Sequence, residues 1–344
     1  MRIVLLGTGP FAVPTCQRLL ADGHDIPLVV TRPVADPYAK KQPARPVFQW
    51  ACESGLETFE PASINTPEAI AVLTELQADL LFVCDYGQIL SSGSLSTTRL
   101  GGINLHGSLL PRHRGAAPVQ WTLLRGDAEA GVTVIHMTPR LDAGASLAVA
   151  QTAILPDESA EQLEPRLAEL GVAATLEAVE LLSNWDGASP IGVTQDPSLV
   201  TKAPRFAKCD GQLDFRRPAE MLARQVRACQ PWPSTFAQLT WRDGKQMRLL
   251  IKSARATAES IAALKNASAG TTTVVTAESL DAERARESDW SAPWKRMLGV
   301  ATGDGTLLIA RVGPAGKRDM SVDDFLRGHP IADTAQFELL PTNP

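Results

Sequence analysis

Short runs of Val, Ile and Leu alternate with stretches of helical period along the first 190 residues, and few architectures accommodate such a chain. Strand-like runs occupy residues 3–6, 27–31, 80–84, 103–106 and 132–137. Each is short and rich in Val, Ile and Leu, as buried strands are. Between them, residues 14–20, 67–76 and 117–125 are amphipathic, and 163–182 carries Leu163, Leu167, Leu170, Leu176 and Leu182 at helical spacing. Parallel strands need a crossover between them, so this alternation predicts a doubly wound, mostly parallel α/β sheet over residues 1–190.

The pattern then changes. Residues 183–190 are turn-rich and 190–204 have no helical period, so a linker is expected at 191–204. Residues 213–227 read as one helix, ended by Gln230-Pro231-Trp232-Pro233. Short strand candidates follow at 235–240, 247–252, 271–276, 298–301 and 307–312, separated by turns such as Arg242-Asp243-Gly244 and Gly303-Asp304-Gly305. Strands at this spacing predict a small antiparallel β-barrel over 205–335. Residues 279–294 are charged and read as an insertion in a barrel loop. At 344 residues the chain is long enough for two cores.

Charge is uneven. The net −5 divides into −9 over residues 1–202 and +4 over 203–344. Such asymmetry is a hint of a nucleic-acid-facing module in the second half. No apolar run approaches the ~18 residues a membrane-spanning helix needs. The five cysteines are widely spaced and form no Cys-x-x-Cys pair, which fits free thiols in a reducing cytoplasm better than disulfides or a zinc site.

The chemistry concentrates in Gly102-Ile103-Asn104-Leu105-His106-Gly107-Ser108-Leu109-Leu110-Pro111-Arg112-His113-Arg114-Gly115. Alternation through 103–106 puts Asn104 and His106 on one face of a strand, at the carboxyl end where open α/β sheets form ligand crevices. Further on, Leu141-Asp142-Ala143-Gly144 supplies a carboxylate in a turn. An amide, an imidazole and a carboxylate suit acyl transfer to an amine, because two of them can hold a developing oxyanion while the third supports the charged imidazole. Spacing alone does not separate such a trio from a structural polar pair.

The run 102–118, followed by 141–144, resembles the folate-dependent formyltransferases, most of all those acting on methionyl initiator tRNA. The resemblance continues through Arg227-Ala228-Cys229-Gln230-Pro231-Trp232-Pro233 and Gly313-Pro314-Ala315-Gly316-Lys317. It implies that Asn104, His106 and Asp142 are catalytic, and that Tyr86, Gly87, Ser108, Leu109, Leu110 and Pro111 contact 10-formyltetrahydrofolate. The pterin would enter between the loop at 85–90 and the loop at 141–144. Lys40 and Lys41 would lie in the loop that enters the tRNA acceptor stem, with Arg114 near the aminoacyl end. The barrel would be of the oligonucleotide-binding type, no metal is needed, and a cytoplasmic monomer is expected. Three positions depart from the family pattern: Ala145 stands where a second Asp is usual, Asp85 where Ala is common, and Tyr38 where Arg is usual.

Two other readings remain open from the residues. An amino sugar nucleotide could be the formyl acceptor on the same fold. Alternatively, Gly7-Thr8-Gly9-Pro10-Phe11-Ala12 matches a dinucleotide fingerprint and would make the chain an NAD(P)-dependent dehydrogenase. Against the latter, the second strand ends in Thr31-Arg32 with no ribose-binding carboxylate, although Arg32 could meet a 2′-phosphate.

Overall fold

The computed structural model describes residues 1–34, 36, 43–257, 261–276, 295–331 and 335–339. The chain forms two units: Met1–Val119 with Ala128–Ala153 and Leu163–Arg205, and Gln120–Asp127 with Ile154–Gln162 and Phe206–Pro344.

The first unit is built on a seven-stranded sheet of order β3-β2-β1-β4-β5-β6-β7. Its strands are β1 (Ile3–Gly7), β2 (Val29–Val30), β3 (Thr58–Phe59), β4 (Leu80–Cys84), β5 (Gly102–His106), β6 (Glu129–His136) and β7 (Ser146–Ala153). β3 to β5 are parallel, whereas β6 and β7 run antiparallel. The connections depart to opposite sides of β1, so the sheet has its switch point between β1 and β4, and the crevice at the carboxyl ends opens there. Every residue of β1 and β4 is buried, which is why both read as continuous apolar runs.

The expected segment 27–31 contributes only the two ladder residues of β2. β7 was not foreseen: one face is Ser146, Ala148, Ala150 and Thr152 and the other mixes Leu147 and Val149 with Gln151 and Ala153, which blurs a period of two. The helices of this unit include α1 (Val13–Ala21), α2 (Pro46–Glu53), α3 (Pro67–Glu75), the short α4 (Ser92–Leu95) and all but the first three residues of the 24-residue α6 (Ala160–Ser183), whereas α5 (Pro118–Arg125) belongs from residue 120 on to the second unit. Gly171 of α6 lies against Leu105, where a Cβ would come within 2.7 Å of Leu105 Cδ2. Leu105 points away from the face of Asn104 and His106, so α6 supports β5 from behind.

The second unit is an antiparallel sheet of order β10-β11-β12-β9-β8-β14, from β8 (Thr235–Thr240), β9 (Gln246–Thr257), β10 (Thr272–Thr276), β11 (Arg296–Ala301), β12 (Thr306–Pro314) and β14 (Gln336–Glu338), with β13 (Met320–Ser321) on β12. A bridge between Thr271 and Gln336, and Phe337 N donating to Gly270 O at 2.8 Å, return the last strand to the first. The ladder thus closes as a small barrel. Leu222 and Val226 of α7 (Ala219–Ala228) and Phe325 of α8 (Val322–Gly328) pack on Leu249, Ile251, Val300 and Ile309 inside it. α7 starts six residues later than the helix expected from 213. Pro218 disfavours helical geometry at Arg217, so Leu213 and Phe215 reach the core from an extended segment that bridges Gln212 to Phe236. The insertion expected at 279–294 lies outside the described residues.

Candidate active site

β5 presents Asn104 as its only half-buried residue, its other four positions being buried. Asn104 is aligned with Val83 on β4 and Ile135 on β6, and His106 with Thr133. His106 is 6% exposed, and its Nε2 lies 2.9 Å from the carbonyl oxygen of His113. A carbonyl can only accept, so Nε2 carries the hydrogen of that bond. The other nitrogen, Nδ1, faces Asp142 Oδ2 at 3.9 Å. A second proton on the ring therefore resides at Nδ1, opposite a carboxylate.

Asp142 has a left-handed backbone, φ 48°. For a residue with a Cβ this costs about 1–3 kcal/mol and persists only where the surroundings hold it. Here they do. Gly115 N donates to Asp142 Oδ2 at 2.8 Å, and Gln195 Nε2 donates to the carbonyl oxygens of Asp142 at 2.9 Å and Gly144 at 2.7 Å. Gly144 itself is pressed on the carbonyl of His136, where any Cβ would collide. Gln195 Oε1 accepts from Arg114 Nε at 3.1 Å and Nη2 at 2.6 Å.

The stretch that carries Gln195 also grips the loop after β5. Arg114 N donates to Thr201 O at 2.9 Å, Ala203 N to Arg114 O at 2.8 Å, and Ala117 N to Ala203 O at 3.1 Å. Thr201 Oγ1 accepts from His113 N at 2.8 Å, fixing the residue whose carbonyl meets His106. Val193 pairs with Ser146 through both backbone groups at 2.8 Å, just past the Asp142 turn. These residues have no apolar periodicity, and sequence patterning holds no signal for a strap made of single backbone pairings.

Beside His106, Ser108 to Pro111 form a fixed wall. Thr133 Oγ1 donates to Ser108 O at 2.8 Å and accepts from Leu110 N at 3.0 Å, while Ser108 Oγ donates to Arg112 O at 2.7 Å. Leu109 rests on Gly131 of β6, a position where a Cβ would collide with it. Leu109, Leu110 and Pro111 are half-buried, and in the two other loops Ile89 is 56% and Leu141 54% exposed. Apolar side chains left open beside a polar trio suit a flat ligand with few polar handles.

Residues 1–179 match the formyl transferase family and residues 205–330 its formyl transferase C-terminal domain. The chain belongs to the formyltransferase family. It is 45% identical to a methionyl-tRNA formyltransferase of Rhodopirellula baltica, over 98% of this chain and 96% of the relative. A methionyl-tRNA formyltransferase of Methylococcus capsulatus is 38% identical over 96% of this chain and 98% of its own. A solved N-formyltransferase from Helicobacter canadensis, in complex with folinic acid and dTDP-3-aminofucose, shares the fold at TM-score 0.61 and 13% identity, covering 90% of this chain and 98% of that one. The strap from Val193 to Ala203 falls between the two matched stretches.

Within this formyltransferase fold the remaining site candidates are distributed unevenly. Tyr86 is buried in the core beside Leu28, Ile64 and Leu90, its hydroxyl without a hydrogen-bond partner. Burial pushes that phenol up to about 12. The backbone carbonyl of Tyr86 accepts from Thr8 Oγ1 at 3.4 Å. Gly87, at φ 76°, leaves room for Arg32, whose Nη1 would lie 3.3 Å from a Cβ there. Lys40 and Lys41 lie outside the described residues.

Asp85, also left-handed at φ 52°, lays its carboxylate on Gly9, where no Cβ would fit. Asp85 is exposed on one side, while the protein packed round its other sides pushes its carboxyl up to about 6 against the opposing pull of Arg205. Nearby Glu164 is raised as well, first by burial and then by Asp85. Among the described residues no group of His, Cys, Asp and Glu could hold a metal ion, and no helix is long and apolar enough to cross a membrane.

Proposed function

We propose that this formyltransferase moves the formyl group of 10-formyltetrahydrofolate to the α-amine of methionyl initiator tRNA, an enzyme of translation initiation. The observation that carries the reading is the convergence of Asn104, His106 and Asp142, with Nδ1 of His106 3.9 Å from Asp142, in a chain 45% identical to a methionyl-tRNA formyltransferase along nearly its whole length.

Leu109, Leu110 and Pro111, with the exposed Ile89 and Leu141, would hold the folate's flat, partly apolar ring system. When bound, 10-formyltetrahydrofolate supplies an electrophilic formyl carbon. Asn104 donates from its amide, and His106 from Nδ1 when protonated, to the formyl oxygen as charge collects there. One preorganised donor of this kind is worth ~2.7–4 kcal/mol of transition-state stabilisation. Asp142 stabilises the imidazolium it faces and accepts through water the proton lost by the attacking amine, while the bond between the formyl carbon and N10 breaks and tetrahydrofolate leaves with a proton on N10.

The barrel, within a segment of charge +4, would carry much of the tRNA contact, helped by Lys40, Lys41 and Arg114, since the −9 first segment repels phosphate. We take the enzyme to be a cytoplasmic monomer. The test is formyl transfer from 10-formyltetrahydrofolate by the purified chain, with methionyl initiator tRNA or an amino sugar nucleotide as acceptor. Transfer to the tRNA, with binding that weakens steeply as salt rises, is expected. Transfer to the sugar nucleotide alone would overturn the assignment.

A further inference from the structure

We infer that Gln195 is a positioning residue that holds Asp142 in its working conformation and couples it to Arg114. The inference rests on the formyl-transfer reading above. Asp142 sits at φ 48°, a conformation that needs external restraint. Its carboxylate is tied by Gly115 N, but its backbone is tied by one side chain, the amide of Gln195, which donates to Asp142 O and Gly144 O at once. An amide is required by the geometry. Two carbonyl oxygens on one side demand a donor with two hydrogens, and the guanidinium of Arg114 on the other side demands an acceptor. Among the standard side chains only Asn and Gln carry both, and Asn is one methylene shorter. Gln195 therefore spans from the carboxylate loop to the cation beside the catalytic strand, and neither end can shift without losing bonds at the other.

A glutamine that only braced a loop would change stability and leave chemistry alone. The coupling reading makes different demands. In the full-length chain Gln195→Ala should lower kcat by about 10–100-fold with KM for both substrates within about threefold. Gln195→Glu should be at least as slow, because it turns a carboxylate toward two carbonyl oxygens while still satisfying Arg114. In an Asp142→Ala background, Gln195→Ala should cost less than about twofold further, since its effect acts through Asp142. Hydrogen exchange at the Gly115 amide, whose acceptor is the Asp142 carboxylate, should quicken by about tenfold in Gln195→Ala. Wild-type kcat in Gln195→Ala with unchanged exchange at Gly115 would overturn the inference, as would an undiminished loss in the Asp142→Ala background. A wild-type chain that transfers no formyl group would instead remove the functional reading, and the Gly115 exchange rate would still decide whether Gln195 holds Asp142.

Discussion

Nε2 of His106 donates to the carbonyl oxygen of His113, seven residues on and 2.9 Å away, which leaves the opposite ring nitrogen, 3.9 Å from Asp142 Oδ2, as the one open to a ligand. The imidazole thus has one proton spoken for by the fold and one site where protonation matters to chemistry. Asn104→Ala, His106→Ala and Asp142→Ala are each expected to reduce turnover by at least ~100-fold, because all three act on charge that exists only in the transition state. Circular dichroism and melting should show an intact fold. Near-wild-type single-turnover rates for any two of them would refute the trio.

Gly115 has φ 136° and lies where a Cβ would strike the carbonyl of Ala203. Gly115→Ala must therefore push the loop off its partner segment. We expect a loss of more than about 1 kcal/mol of stability, together with a fall in kcat as the bond from Gly115 N to Asp142 is broken. Urea unfolding and steady-state kinetics on one sample check both. A variant as stable and as active as the parent would show that the loop does not need the pairing.

Asp85 gives a stability effect with a defined sign in pH. Its carboxyl is raised from 3.8 to about 6 by burial. The folded chain thus holds that proton more tightly than the unfolded one, and this contribution to stability is fully present below pH 3.8 and is lost as pH rises through about 6. Asp85→Asn removes the charge and tolerates a left-handed backbone. It should melt higher than the wild type at pH 8, with the difference shrinking as pH falls to 5. A difference that does not vary between those two conditions would contradict the assignment.

The glycine turn after β1 is expected to bind no nicotinamide cofactor. Pro10 at the start of the following helical turn removes a backbone donor that a pyrophosphate would use, and Arg32 packs by Gly87. Calorimetric titration with NADP should give no heat of binding. Micromolar affinity abolished by Arg32→Ala would revive the dehydrogenase reading.

The sequence showed most where burial is symmetrical and chemistry is local. β1 and β4 were readable because every position is apolar, and β5 because its alternation puts Asn104 and His106 on one face. Asp142 was picked out as a carboxylate in a turn and tied to His106 through resemblance, since nothing in that turn reveals that it lies opposite His106. Tyr86 illustrates the converse: proximity to a ligand loop in sequence does not tell which way a side chain turns, and its ring went into the core. Gln195 and Thr201 were invisible for a further reason. Apart from Arg114, the partners given above for them are backbone carbonyls and amides tens of residues away, and a backbone atom has no sequence signature.

The strap from Val193 to Ala203 has a consequence for the order in which this molecule comes to life. The proposed trio is complete once position 142 is synthesised, and β5, which carries two of its members, is already finished at His106. The bonds that lock the Asp142 turn and the loop after His106 come from residues made some fifty positions later. A nascent chain that has emerged only through residue 190 would own every catalytic group yet lack the clasp that brings them to bear, so on the ribosome competence should arrive abruptly, when the strap closes.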